Sequence, residues 1–200
     1  DWIFGYLSYD LKNDIEDLYS KNFDGLEFPE LYFFQPKKII GIQGNEVQFS
    51  YLNMMAEEIP IDFEALLKGT FKETAAESAD TDVHIKMRIF KDEYFSKVNQ
   101  MLEHIHKGDI YEANLCQEFY AEDLQLDALN TYKKLNAISK PPFASYVKLF
   151  DKFLMCASPE RYLKKTGTKV ISQPIKGTAP RSKNVDMDRQ NSKSLQTDEK

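Results

Sequence analysis

The sequence has little of what several classes of protein require. It holds two cysteines in 200 residues, which argues against a disulfide framework or a cysteine-based zinc site. It has no apolar run near the roughly 18 residues that a membrane-spanning helix needs, and no signal-like start. No basic run exceeds two residues and the net charge is −6. We therefore expect neither a membrane nor a nucleic acid as the partner, because phosphate binding needs clustered cations.

The common catalytic motifs are also absent. There is no G-x-S-x-G sequence, no P-loop and no G-x-G-x-x-G sequence. The three histidines are His84, His104 and His106. The last two are two residues apart on a predicted helix, so their side chains diverge and cannot share one metal. Ordinary helix histidines are the interpretation that this spacing favours.

What the sequence does contain is enough apolar mass for a folded protein. Hydrophobic residues make up 42% of the chain and aromatic residues 13%, which excludes a disordered chain. We expect a soluble, cytoplasmic globular protein. The ends suggest part of a larger domain, because the chain begins inside an apolar strand pattern and closes on an almost entirely polar stretch.

The pattern of apolar residues predicts an α+β fold with mostly antiparallel sheets packed against helices. Turn and helix-stop residues support this, such as Gly44-Asn45 between two alternating runs and Gly108 after a helical run. Strands are predicted at 2–9, 31–34, 38–43, 46–51, 109–120, 143–149, 153–157 and 169–173, a hairpin return at 161–173, and helices near 11–18, 63–67, 95–105 and 127–139.

Composition divides the chain into three regions. Residues 1–71 form a predicted sheet and hairpin region. Residues 72–86 are small, polar and acidic, which predicts a linker or mobile loop. Residues 87–200 form the second structured region.

In two segments, an ionisable side chain that could take part in catalysis follows the end of a predicted strand. Glu160 follows an apolar strand in Cys156–Glu160, and Lys176 follows the next strand in Gln173–Arg181. The 13 residues Arg161–Gln173, which lie between Glu160 and Lys176, have hairpin length and turn at Gly167, so an antiparallel return places both strand ends on one rim of the sheet. A carboxylate and an amine on one rim can act as an acid–base pair or a nucleophile. An exposed salt bridge is the alternative that the residues alone leave open.

Five motifs occur in order along the chain: Gly5–Asp10, Gly108–Leu115, Pro142-Phe143, Ala157–Glu160 and Pro174–Arg181. Together they resemble the chorismate-binding enzyme family, which includes component I of anthranilate synthase and of aminodeoxychorismate synthase. The resemblance spans nearly the whole chain. It implies that the chain is part of a larger two-sheet chorismate-binding domain, and that residues 87–200 are the N-terminal half of the catalytic domain.

The same resemblance implies roles for individual residues. Anthranilate synthases resemble Pro-Ile-Ala-Gly-Thr where this chain has Pro-Ile-Lys-Gly-Thr, the form typical of aminodeoxychorismate synthases. Lys176 would then be the nucleophile that attacks the chorismate ring, and Glu160 the general acid and base. Gly177 and Thr178 would contact the substrate, the glycine because a larger side chain would block close backbone approach. Pro142 and Phe143 match a segment that lines a tryptophan pocket in relatives.

The resemblance also implies a cofactor and partners. Mg²⁺ would bind glutamates expected beyond Lys200, with no metal ligand in this segment, so the 200 residues alone are expected to be inactive. A glutamine amidotransferase would supply ammonia, and tryptophan is a candidate effector. Rival interpretations remain: an anthranilate, isochorismate or salicylate synthase, or a non-catalytic segment that binds an effector or another protein.

Overall fold

A computed structural model of the protein describes residues 2–69, 83–175 and 177–198. These residues form helices and paired strands, so the predicted α+β class is confirmed. The chain divides into two compact units: Asp1–Ala75 with Phe150–Lys152, and Ala76–Leu149 with Phe153–Lys200. Most of the predicted acidic linker, residues 72–82, lies outside the described residues.

The first unit consists of two strand pairs and short helices. Its elements are β1 (Phe4–Leu7), α1 (Lys12–Ile15), β2 (Leu31–Phe34), β3 (Lys38–Gln43), β4 (Glu46–Tyr51) and α2 (Ile59–Lys68), with 3₁₀ turns at Tyr9–Leu11 and Asn53–Glu58. Strand β1 pairs with β2 and β3 with β4, both antiparallel. The β3–β4 hairpin turns at Gly44, whose φ of 59° suits glycine. Helix α2 ends at Gly69, which is left-handed as the C-cap rule predicts.

One carboxylate joins the elements of this first unit. Asp62 of α2 accepts hydrogen bonds at 2.7 Å from Lys38 Nζ of β3 and at 2.7 Å from the Tyr51 hydroxyl of β4. Lys38 also pairs with Glu58 at 2.5 Å. The bonds from Lys38 and Tyr51 lower the pKa of Asp62 below its ordinary value. The carboxylate therefore stabilises the unit above the unfolded pKa, and this contribution is lost as pH falls through the lowered value.

The second unit carries three longer helices and three strand pairs. Its elements are β5 (Lys86–Met87), α3 (Lys91–Lys107), β6 (Phe119–Tyr120), α4 (Ala128–Ser139), β7 (Phe143–Leu149), β8 (Lys152–Ser158), β9 (Arg161–Thr166), β10 (Lys169–Gln173) and α5 (Val185–Gln196). Strands β5 and β6, β7 and β8, and β9 and β10 form the pairs. Helix α3 ends at left-handed Gly108, and Asp127 caps α4 by accepting from Asn130 N at 3.0 Å.

One predicted strand is wrong in this unit. The strand predicted over 109–120 is irregular except for β6 at its end, because alternation alone cannot supply a neighbouring strand to pair with. Cys116 lies in this irregular stretch and is exposed. The polar closing stretch contains α5, a helix that was not predicted, and its N-cap is Asn184, whose side chain accepts from Asp186 N and Met187 N.

Very few of the described side chains are buried. Leu149, 5% exposed, is the buried hydrophobic residue of the described chain. Large apolar side chains such as Tyr111 (89% exposed) and Ile138 (85% exposed) face solvent. Exposed apolar surface on this scale is typical of a face that contacts further protein. None of the helices in the described ranges has both the length and the apolar character needed to cross a bilayer.

The 200-residue chain alone should therefore behave as an incompletely packed protein. We expect it to bind an apolar fluorescent dye strongly and to unfold over a broad temperature range, because its core is not closed. Dye fluorescence and differential scanning calorimetry test this against a folded protein of equal mass. Sharp two-state unfolding without dye binding would contradict it.

Candidate active site

The predicted hairpin between the two active segments is present. Strands β9 and β10 pair antiparallel, with Lys169 opposite Thr166 and Gln173 opposite Arg161. The turn is at Gly167, whose φ is 60°. The register shifts between Ile171 and Gln173, a bulge of the kind that redirects a strand end. The start of β9 and the end of β10 therefore lie side by side, as the antiparallel return predicts.

Glu160 lies at the entrance to this hairpin, in a corner formed by residues 158–160. The Ser158 hydroxyl accepts from Glu160 N at 3.2 Å and lies 3.2 Å from Glu160 O. Pro159 lacks an N–H, so it cannot extend the β8 ladder and the chain turns here. This Ser-Pro-Glu corner directs the Glu160 side chain toward the far strand.

The Glu160 carboxylate reaches the backbone just before the predicted nucleophile. Glu160 Oε1 accepts a hydrogen bond from Ile175 N at 2.6 Å. The candidate acid–base residue is thus tethered to the residue immediately before position 176. Lys176 itself lies outside the described residues, so its predicted role stays a prediction. Glu160 is exposed in the described chain.

The candidate effector residues lie beside the same strand ends. Phe143 is half-buried at the start of β7, and Pro142 before it is exposed. The guanidinium of Arg161 lies 4.7 Å from the centre of the Phe143 ring, a cation–π contact. Arg161 Nε also donates to Gln173 Oε1 at 2.9 Å. The Phe143 ring is therefore linked through Arg161 to the pair of residues that closes the hairpin.

The residues after position 176 contact α5, a helix that the apolar pattern of the sequence does not predict. We refer to residues 177–182 as the post-lysine segment. It is neither helix nor strand, and Gly177 and Thr178 in it are exposed. A Cβ on Gly177 would lie 2.9 Å from Leu195 Cδ1. The Pro180 carbonyl accepts from Asn191 Nδ2 at 2.9 Å.

The strongest of these contacts is made by Asp188. Its carboxylate accepts from Arg181 Nε at 2.9 and 3.1 Å and from Arg181 Nη2 at 2.8 Å, and Ser182 N donates to it at 2.9 Å. The bonds from Arg181 and Ser182 lower the pKa of Asp188, so it is ionised at neutral pH. The sequence does contain a helix-start signal for α5. Asn184 is a favourable N-cap residue, and Asp186 and Asp188 follow in the first turn.

The described residues do not make a metal centre. Within residues 2–69, 83–175 and 177–198, no three histidine, cysteine, aspartate or glutamate side chains group in a way that could hold a metal ion.

Comparison with known proteins identifies the family. A family model described as chorismate binding enzyme matches residues 1–200. An anthranilate synthase component I-like protein of Synechocystis is 31% identical over 190 residues, covering 94% of this chain and 39% of that protein. An aminodeoxychorismate synthase component 1 of Klebsiella aerogenes is 28% identical over 188 residues, covering 92% and 40%.

A solved structure shares the fold. The crystal structure of anthranilate synthase component I from Streptococcus pneumoniae aligns with a TM-score of 0.76 at 18% identity, covering 98% of this chain and 45% of that one. The chain spans about two-fifths of the length of the curated relatives named above. Matched by the family model along its entire length, the chain belongs to the chorismate binding enzyme family.

Proposed function

We propose that this chain is part of an aminodeoxychorismate synthase component I, which converts chorismate to 4-amino-4-deoxychorismate on the route to para-aminobenzoate and folate. The observation that carries the proposal is Lys176 within Pro-Ile-Lys-Gly-Thr, where anthranilate synthases resemble Pro-Ile-Ala-Gly-Thr. Alanine can only line a pocket, whereas lysine adds an amine that can attack carbon.

The geometry of the tether supports an acid–base role for Glu160. Its carboxylate bonds to Ile175 N at 2.6 Å, one residue from the proposed nucleophile. In the first step the neutral Lys176 amine forms a C–N bond to the ring as the ring C–O bond breaks. Glu160 gives a proton to the departing hydroxyl, which leaves as water. Ammonia then displaces the lysine nitrogen, and the Glu160 carboxylate is the base for the proton that ammonia loses.

We propose that two further requirements of the activity, ammonia and Mg²⁺, are met outside the described residues. We propose that ammonia is delivered by a glutamine amidotransferase partner in the cytoplasm. Mg²⁺, which a dianionic substrate requires for charge neutralisation, would bind residues beyond Lys200. The 200-residue chain alone would not turn chorismate over. Tryptophan is the candidate effector at Pro142 and Phe143.

A second candidate function is anthranilate synthesis. Its support is the similar identity of relatives with either name, 31% for the Synechocystis anthranilate synthase component I-like protein and 28% for the Klebsiella aminodeoxychorismate synthase component 1. Product analysis separates the two. The full-length protein is incubated with chorismate, magnesium and ammonium, and the products are identified by mass spectrometry. The proposal expects 4-amino-4-deoxychorismate, and anthranilate, isochorismate or salicylate as the main product would overturn it.

Replacing the proposed nucleophile should abolish covalent capture of the ring. We expect the wild-type protein, incubated with chorismate without ammonium, to gain a ring adduct on the peptide that contains Lys176. Lys176→Ala should lose that adduct, whereas Lys165→Ala, the same change at an exposed lysine of β9, should keep it. Peptide mass spectrometry measures the adduct. An equal adduct in both variants would remove Lys176 from this role.

Two substitutions of Glu160 separate its proposed role in proton transfer from its hydrogen bond with Ile175 N. In Glu160→Gln the amide oxygen can still accept from Ile175 N, so the melting temperature should stay near that of wild type. The rate should fall about 10²- to 10⁴-fold, because the amide cannot donate and recover the proton. Glu160→Ala should lose both the tether and the rate. Steady-state kinetics and calorimetry measure these effects, and wild-type kcat in Glu160→Gln would show a purely structural role.

The substitution Gly177→Ala tests whether the backbone at this position must contact the substrate closely. The φ of Gly177 is not positive, and the nearest atom to an added Cβ is the flexible end of Leu195 at 2.9 Å, so Gly177→Ala should fold normally. We expect kcat/KM for chorismate to fall about 10-fold or more, since the added methyl group points toward Leu195 and its accommodation shifts the backbone that is proposed to contact the substrate.

Two controls define the cause of that loss. Gly167→Ala, at a φ of 60° with open space around it, should cost about 1 kcal/mol of stability through backbone strain without changing kcat. Gly177→Ala combined with Leu195→Ala removes the contact with α5. Recovery of activity in this double variant is expected if the loss comes from the backbone shift, and a loss that persists without the Leu195 side chain would show that the methyl group itself excludes the substrate.

A further inference from the structure

We propose that Asp188 and Asn191 of α5 are positioning residues that fix the backbone path of the post-lysine segment, and through it the reacting groups of the site. This inference rests on the proposed function, in which Lys176 and its two following residues act on chorismate. The observation behind it is that the irregular post-lysine segment lies along one face of helix α5.

The contacts follow the geometry of a helix. Asp188, Asn191 and Leu195 are spaced by three and four residues, so they form one stripe along α5. Their partners run in the opposite order: Gly177 lies against Leu195, Pro180 bonds to Asn191, and residues 181–182 bond to Asp188. The post-lysine segment therefore runs antiparallel to α5 and is held at three levels of the helix.

The contacts with α5 hold the post-lysine segment in place of the backbone hydrogen bonds that a strand or helix would have. Residues 177–182 are neither strand nor helix, so regular secondary structure does not fix their backbone. Before position 176, Ile175 is held by Glu160. After it, the segment is held by α5. Position 176 thus lies in the sequence between two tethered stretches, the arrangement that a nucleophile needs, because small displacements of reacting groups cost large factors in rate.

Asp188 holds the post-lysine segment by more than its ion pair with Arg181. The Arg181 side chain is 89% exposed, whereas that of Asp188 is 25% exposed. An ion pair with so exposed a partner contributes little by itself. The carboxylate also accepts from Ser182 N at 2.9 Å, which ties the main chain directly to the helix. We therefore expect removal of Asp188 to loosen the segment more than removal of Arg181.

The test compares Asp188→Ala, Asp188→Asn, Arg181→Ala and Asn191→Ala in the full-length protein. Asp186→Ala is the matched control, because it is the same change on an exposed residue of the same helical turn. Three quantities are measured: hydrogen exchange of the Ser182 amide, by NMR or by mass spectrometry with fragmentation, kcat and KM for chorismate amination with ammonium, and the melting temperature.

We expect exchange of the Ser182 amide, which donates to Asp188, to rise at least 10-fold in Asp188→Ala, with kcat about 10- to 100-fold lower and a melting temperature near wild type. Asn191→Ala should show a smaller effect in the same direction. Asp188→Asn should keep part of the slow exchange and part of kcat, since its amide oxygen can still accept from Ser182 N. Arg181→Ala should change both quantities less than Asp188→Ala does. Asp186→Ala should match wild type.

Unchanged exchange in Asp188→Ala, or faster exchange with wild-type kcat, would overturn the positioning role. A purely structural role would lower the melting temperature while leaving kcat per folded molecule intact. Failure of the proposed function is distinguishable, because exchange is measured without substrate. If the wild type forms another chorismate product, kcat is measured on that product. If it forms none, the proposed function fails and the exchange data alone decide whether α5 holds the segment.

Discussion

The site depends on one hydrogen bond, from the Ile175 backbone N–H to the Glu160 carboxylate. It joins the corner at the end of β8 to the end of β10, across a hairpin whose two strands meet at Arg161 and Gln173. Because the side chain that makes this bond is also the candidate acid and base, the same interaction that closes the hairpin fixes where proton transfer could occur. The cation–π contact of Arg161 with Phe143 extends this arrangement to the candidate effector residues.

The two sides of position 176 are held by different physical means. Before it, a strand ladder and a carboxylate hold the chain. After it, the backbone leaves regular structure and lies along α5, whose Asp188 accepts from a main-chain N–H as well as from Arg181. A segment supported in this way can expose its backbone while keeping a fixed path, which suits the proposed role of Gly177 and Thr178 in contacting the substrate. The open apolar faces elsewhere, such as that of Ile138, agree with a chain that spans two-fifths of its relatives' length.

Local signals in the sequence predict much of this fold, because they act over a few residues. The Gly44 turn, the Gly108 helix end and the return at Gly167 are all where turn and cap chemistry places them. The antiparallel return also predicts the proximity of the two strand ends. The strand predicted over 109–120 fails because pairing is a tertiary property. Helix α5 was missed because its apolar face is thin, and with it the tethers from Asp188 and Asn191, whose partners are 7 and 11 residues away in sequence.

The most direct test of this account is the exchange rate of a single amide, that of Ile175 in the full-length protein, measured by NMR or by mass spectrometry with fragmentation. The account predicts slow exchange in the wild type, slow exchange when Glu160 is replaced by glutamine, and fast exchange when it is replaced by alanine. An Ile175 amide that exchanges in the wild type as fast as unprotected backbone would contradict it.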